Sequence, residues 1–278
     1  MGAIKKVYIS VDIEGMEGVV SQLQTLRSNP DFNIARKRLA EDVNAAIKAC
    51  LDCGAEEVIV CDGHADMENI ILEDLHPEAK LISGAMRSSL QMQMIELGFD
   101  AVIMFGHAGA GVTKNGVIDH TYNGRKIYNI RMNGETMNTE GVLNAVIAGH
   151  YDIPVVAAIG DKAYAEEMTS FIPNIETIVV KEGTSRFSAL SIHPTKAREK
   201  IYEGVKKGLM KKDIIKPLKL KEPITMEIDF KDSNMAETAE LIPGVKRPQS
   251  RTIEYTGDAE TIFKLQALII FRLVDQLP

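Results

Sequence analysis

The sequence predicts an α/β protein, a mostly parallel sheet covered by helices on both faces, with a smaller C-terminal α+β portion. Three observations carry that prediction. Short runs rich in β-branched residues, Val7–Val11, Val58–Cys61, Ala101–Phe105, Val155–Ile159 and Thr177–Val180, are largely unbroken by polar side chains. Runs of that kind suit strands buried on both faces of a parallel sheet. Longer amphipathic segments lie between them, and strand–helix–strand order implies right-handed crossovers with helices over the sheet. The pattern changes beyond a Lys- and Pro-containing stretch, Lys211–Pro223, which reads as a connector.

Between the first two strand runs, Ile34, Leu39, Val43, Ala46, Ile47 and Cys50 recur at three- to five-residue spacing. That spacing predicts a helix with one core face, stopping near Gly54. Gly116, Gly124 and Gly134 punctuate short β-prone pieces, as in a hairpin or an extended excursion. Thr139-Glu140-Gly141-Val142-Leu143-Asn144 reads as a helix start with an acid in its first turn. After the connector come strands at Ile224–Phe230 and near Arg251–Tyr255, then a helix from about Ala259 to Leu277. The division expected is a catalytic α/β domain over 1–217 and a smaller α+β domain over 218–278.

The 278 residues carry 32 Lys+Arg against 39 Asp+Glu, a net charge of −7, and 45% are hydrophobic. This excludes a disordered or fibrous chain and argues against nucleic acid or an anionic membrane as partner. Zwitterionic and cationic small substrates stay open. Cys50, Cys53 and Cys61 are an odd, clustered set, which suits buried free thiols in a reducing compartment better than a disulfide framework. No signal-peptide pattern opens the chain. The most apolar stretch, Leu265–Val274, is far short of the ~20 residues of a membrane span. A cytoplasmic protein is expected.

The chemistry concentrates after the strand runs. Asp12 and Glu14 follow the first, Asp62 and His64 the second, and Gly106 and His107 the third. Ligands of open α/β sheets bind outside the carboxyl ends of the strands, so adjacent strands would bring these acids and imidazoles to one crevice. Asp12 and Glu14, two apart, point the same way in extended chain. Converging carboxylates repel unless a cation holds them. Mixed carboxylate and imidazole donors suit zinc, with Mn, Co or Fe as alternatives, and a shared Asp12 can bridge two ions. His120 is free to be a ligand or a proton-transfer group. His76, His150 and His193 lie in turns or at a helix end and are read as structural. Gly106–Gly111 lacks the Lys-Ser/Thr of a phosphate loop, but its backbone N–H groups suit an oxyanion. Arg186 is read as a surface-loop residue.

These residues resemble a known family. Ser10-Val11-Asp12-Ile13-Glu14-Gly15 is similar to the Ser-x-Asp-x-Glu-Gly signature of the zinc-dependent D-aminopeptidases of the dipeptide-transport-operon type. The likeness continues through Asp62-Gly63-His64, His76-Pro77-Glu78-Ala79, Leu81-Ile82-Ser83-Gly84, Gly106-His107-Ala108, Gly116-Val117 with His120, and Glu140 with Asn144. It then reaches Ser185-Arg186, Ala236-Glu237 and Pro243-Gly244. By that resemblance two zinc ions are implied, with Asp12 bridging them, Glu14 and Glu140 completing one site, and His64 and His107 the other. It makes His120 the catalytic histidine. It also implies a self-compartmentalising homodecamer whose sites face an inner chamber and act on short peptides with an N-terminal D-residue. The segments from His107 to His120 and from His120 to Glu140 are slightly longer than in the family pattern, and Gly109 replaces a larger polar residue. The alternatives are a two-metal phosphoesterase, which would need cations such as Arg125, Lys126 and Arg131 for phosphate, and a non-catalytic metal- or peptide-binding protein.

Overall fold

In the computed structural model, which describes residues 2–85, 87–109 and 113–273, β1 (Lys6–Val11) leads through α1 (Asp31–Asp52) to β2 (Glu57–Asp62). Short β3 (Ala79–Ile82) and fully buried β4 (Ala101–His107) follow, then β5 (Ile127–Met132) and β6 (Glu135–Thr136). Next come α2 (Glu140–His150), β7 (Val155–Asp161), α3 (Lys162–Phe171), β8 (Glu176–Ser185), β9 (Ser188–Ser191) and α4 (Pro194–Met210). The chain finishes with β10 (Ile224–Phe230), α5 (Ser233–Ala239), β11 (Lys246–Gln249), β12 (Thr252–Gly257) and α6 (Ala259–Leu268).

Seven strands form one sheet in the order β3-β2-β1-β4-β7-β8-β9. All neighbours are parallel except the edge pair β8 and β9. The order runs outward from β1 to β3 on one side and from β4 to β8 on the other, so the strand order reverses between β1 and β4. Right-handed crossovers leaving in opposite directions put helices on opposite faces. In keeping with that, α1 packs on α4, and α2 on α3.

The reversal is where an open parallel sheet leaves a crevice at its carboxyl edge. Val11 is in register with both Asp62 and Phe105. The three expected strands are therefore immediate neighbours, and the residues after them emerge together.

The strand runs are longer than their apolar cores by a residue or more at their ends, because the backbone ladder continues into polar positions such as Asp62 and His107. The α1 core face uses Phe32, Ala35, Leu39, Val43, Ala46, Ile47 and Cys50. Ile34, expected on that face, is instead 62% exposed. Phe32 and Ala35 occupy the buried stripe on either side of it, and the 100° step between residues turns Ile34 outward.

A second, antiparallel sheet has the order β11-β12-β10-β5-β6. Two of its five strands come from residues 127–136, so it draws chain from both sides of position 218. The expected hairpin is present there, turning at Asn133 and Gly134, both at positive φ. The final helix ends as α6 at Leu268 and continues as a wider π turn over Ile269–Leu273. The expected extension to Leu277 lies outside the described residues, as do Ala110 and Gly111 of the glycine loop. Among the described residues, no helix is long and apolar enough to cross a membrane.

Candidate metal centre

Backbone bonds tie the ends of the three central strands together before any side chain is considered. Asp12 N donates to Phe105 O at 2.7 Å, Gly15 N to Gly106 O at 2.6 Å, and Gly63 N to Val11 O at 2.8 Å. A Cβ at Gly15 would lie 2.0 Å from the His107 carbonyl oxygen. Only glycine lets the Asp12–Glu14 segment press this closely on the end of β4.

The result is two overlapping groups of donors. Asp12, Glu14 and His64 form one, and Asp12, His107 and Glu140 the other, with the chosen atoms in each within 4.8 Å of one another. Every member is at most 8% exposed. Asp12 is common to both, as the resemblance implied. The remaining donors group differently from the partition that the resemblance implied, each acid lying with an imidazole. The cause is the strand order: His64 emerges from β2 beside Glu14, whereas His107 ends β4, facing the first turn of α2.

Ring orientation supports ligation. His64 Nε2 is 2.8 Å from Thr25 O, leaving Nδ1 3.1 Å from both Asp12 Oδ1 and Glu14 Oε2. A ring N–H donated to a carbonyl fixes the tautomer of a metal-binding histidine in this way. His107 Nδ1 lies 3.4 Å from Asp12 Oδ2 and 3.6 Å from Glu140 Oε2. Both His107 ring nitrogens and Glu14 Oε2 are buried without a hydrogen-bond partner among the described residues. Buried polar atoms rarely go unmet in native proteins, and a cation within each group would meet Glu14 Oε2 and one His107 nitrogen. The mixed oxygen and nitrogen donor set fits zinc or a similar divalent ion.

The electrostatics agree. Burial and the adjacent Glu14 both push the Asp12 acid toward neutrality, yet His107 and His64 outweigh them and hold it below the usual carboxylate range. Burial likewise opposes charge on Glu14, but His64 and His120 hold its carboxyl far down. Burial disfavours charged His64, while Glu14 and Asp12 raise it well above normal. For His107, Asp12 and Glu140 overcome burial and lift it to about 9. Imidazole protons thus stand where a cation would, and metal binding must displace them.

His120 lies beside the groups rather than within them. Its Nε2 is 3.5 Å from Glu140 Oε1, and its Nδ1 is 2.7 Å from Ile118 O. It lines the same cavity as Asp12, Glu14, His64 and Glu140.

Asp62 does not join them. Its carboxylate accepts from Asn69 N at 2.5 Å, Ile70 N at 2.7 Å and Asn69 Nδ2 at 2.8 Å, closing the loop after β2. His150 closes α2, and His193 caps α4 by accepting from Thr195 N. Arg186 pairs with Asp119 at 2.5 Å, next to His120. All three cysteines are free, and burial raises the Cys50 and Cys61 thiols.

Sequence reading missed two supports. Gln91 Nε2 donates to Glu140 Oε2 at 2.5 Å, and Asn144 Nδ2 to Gln91 Oε1 at 2.5 Å. Lys181, 1% exposed, donates from Nζ to the carbonyls of Glu14 and Val19, and burial lowers it to about 8. A lysine closing an apolar strand run was the only signal available for it.

A family model described as D-aminopeptidase matches residues 5–267. The chain belongs to the D-aminopeptidase family. A D-aminopeptidase of Bacillus subtilis (strain 168) is 31% identical over 268 residues, spanning 95% of this chain and 96% of the relative. Among solved structures, the Zn-dependent D-aminopeptidase DppA from Bacillus subtilis, described as a self-compartmentalizing protease, superposes with a TM-score of 0.92 at 30% identity. That match covers 98% of each chain. The D-aminopeptidase assignment thus extends over both sheets and every residue of the two donor groups.

Proposed function

We propose that this chain is a two-zinc aminopeptidase that releases N-terminal D-residues from short peptides. The single observation behind the reading is the pair of buried carboxylate–imidazole groups sharing Asp12. Asp12, Glu14 and His64 would hold one ion, and Asp12, His107 and Glu140 the other. Zinc bound there supplies Lewis acidity toward the scissile carbonyl and lowers the pKa of water to about 7.

The protein's own groups do the rest. In the tautomer that donates Nδ1–H to Ile118 O, His120 presents Nε2 to the cavity. Burial disfavours its charged form, but Glu14, Glu140 and Asp12 raise its pKa overall. From that position Nε2 is placed to pass a proton to the departing amine. Gln91 and the Tyr122 N–H, which donates to Glu140 Oε1 at 2.8 Å, keep the Glu140 carboxylate in place.

We also infer a homodecamer with its sites facing an inner chamber, in the cytoplasm. Support for assembly comes from the near-complete likeness to a protein described as a self-compartmentalizing protease. The deciding experiment quantifies bound metal, then assays D-Ala- and L-Ala-terminated peptides side by side. Two zinc ions per chain and preferential release of D-Ala are expected. Release of phosphate from a phosphoester panel, with no amine from any peptide, would replace this reading with a phosphoesterase.

A further inference from the structure

The metal centre opens into a cavity of about 520 Å³ whose walls include Glu14, His64, His120, Arg125 and Lys126. That volume lies in the ~300–1,000 Å³ range of small-ligand sites. The 125–126 turn gives one part of the cavity wall a cationic character.

The turn is built close to the reacting centre. A Cβ at Gly124 would lie 2.6 Å from His120 Cβ, so this backbone packs directly on the histidine. It is also held firmly. Lys126 N donates to Asn123 O at 3.0 Å, Ile127 N to Asn123 O at 2.9 Å, and Arg125 N to Asn123 Oδ1 at 3.2 Å. Lys231 donates from its N to Lys126 O at 2.8 Å and from Nζ to Gly124 O.

Neighbouring arginines are committed elsewhere: Arg186 to Asp119, and Arg131 to Glu227 and Asp229. Arg125 is exposed and makes no ion pair with an acid among the described residues. A guanidinium on a fixed turn, with no acid partner among the described residues, is matched to a carboxylate.

We propose that Arg125 binds the C-terminal carboxylate of the substrate, so that the site selects very short peptides with a free carboxyl end. The inference rests on the aminopeptidase reading above. A short peptide at neutral pH ends in a carboxylate, and the cavity shared with the donor residues carries a guanidinium for it. Extended chain advances only ~3.3–3.6 Å per residue. A recognition group one residue from the turn glycine packed on His120 therefore suits a dipeptide or tripeptide, and a longer chain would carry its carboxylate past it.

The test uses the zinc-loaded protein and compares kcat/KM for D-alanyl-D-alanine with that for its C-terminal amide. The wild type should favour the free acid, and Arg125→Ala and Arg125→Glu should lower the acid-to-amide ratio by about tenfold or more, mainly through KM, as loss of a charge-assisted contact requires. A third substrate, D-alanyl-D-glutamic acid with its α-carboxyl amidated, separates the two sources of carboxylate. Its cleavage at the free-acid rate would overturn the assignment to the chain terminus. An unchanged ratio in both variants would overturn it for Arg125. Amide hydrolysis by the wild type upholds the aminopeptidase reading whichever way the ratio falls, and hydrolysis of none of the three substrates would overturn both.

Discussion

Gln91 reaches from the loop before β4 to donate its side-chain amide to the Glu140 carboxylate at 2.5 Å. Asn144, one turn further along α2, donates to Gln91 in turn. The two bonds aim Glu140 at His107 and Asp12.

Gln91→Ala removes this support without touching a proposed ligand. Losing such an orienting partner typically weakens metal affinity ~10–100-fold. Competition with a fluorescent chelator should show that loss, confined to one of the two ions. Equal affinity in variant and wild type would mean that Glu140 is held well enough by Tyr122 alone.

His120→Ala is expected to keep both metal ions and lose turnover by ~10²–10⁴-fold, the usual worth of a positioned proton donor. Elemental analysis beside kcat makes the check. Loss of an ion together with the side chain would make His120 a ligand.

Chelation should abolish peptide hydrolysis and lower the melting temperature without unfolding the protein at room temperature. A ligand present at a hundredfold over its Kd stabilises by about 2.7 kcal/mol, so a shift of several degrees is expected on removal. Calorimetry with and without restored zinc measures it. Hydrolysis that survives complete metal removal would sink the metallopeptidase mechanism.

A second buried acid pair predicts a pH effect remote from catalysis. Asp42 is fully buried beside Glu17. Burial first, and the Glu17 charge second, raise Asp42 to about 9, with Arg198 and Arg38 opposing in part. The folded pKa then exceeds the unfolded value of ~3.9. Stability from this group is complete below about pH 4 and is lost as pH rises toward 9, at up to ~1.4 kcal/mol per unit. Asp42→Asn cannot ionise, so its melting temperature should decline less between pH 5 and 8 than the wild type's. Parallel profiles would refute the raised Asp42 pKa.

The central sheet was legible because parallel strands buried on both faces leave long apolar runs, and polar residues with chemistry stand at or just after the ends of β1, β2 and β4. Asp12, His64 and His107 could be assigned to one crevice on that basis alone. The grouping of the donors could not, since it depends on where α2 brings Glu140. Four-residue strands such as β3, β9 and β11 carry too little periodicity to read. Ile34 shows a complementary failure, an apolar residue on the outer side of a well-predicted helix. Gln91 and Lys181 act across 49 and 167 residues of sequence, a distance at which local pattern carries no information. The second sheet was half visible for the same reason: β5 pairs with β10 about a hundred positions later, as the Asn129–Asp229 register makes plain.

The strand-order reversal between β1 and β4 has an evolutionary consequence. Asp12 and His107 of the donor groups sit at the ends of the central strands β1 and β4, whereas the turn bearing Arg125 belongs to an excursion between β4 and β5. Substitutions at the Arg125 end of that excursion can retune which molecules are accepted while the donor residues stay as they are, provided the backbone packed on His120 is kept. Diversification of diet is therefore cheap for this scaffold, and diversification of reaction is not.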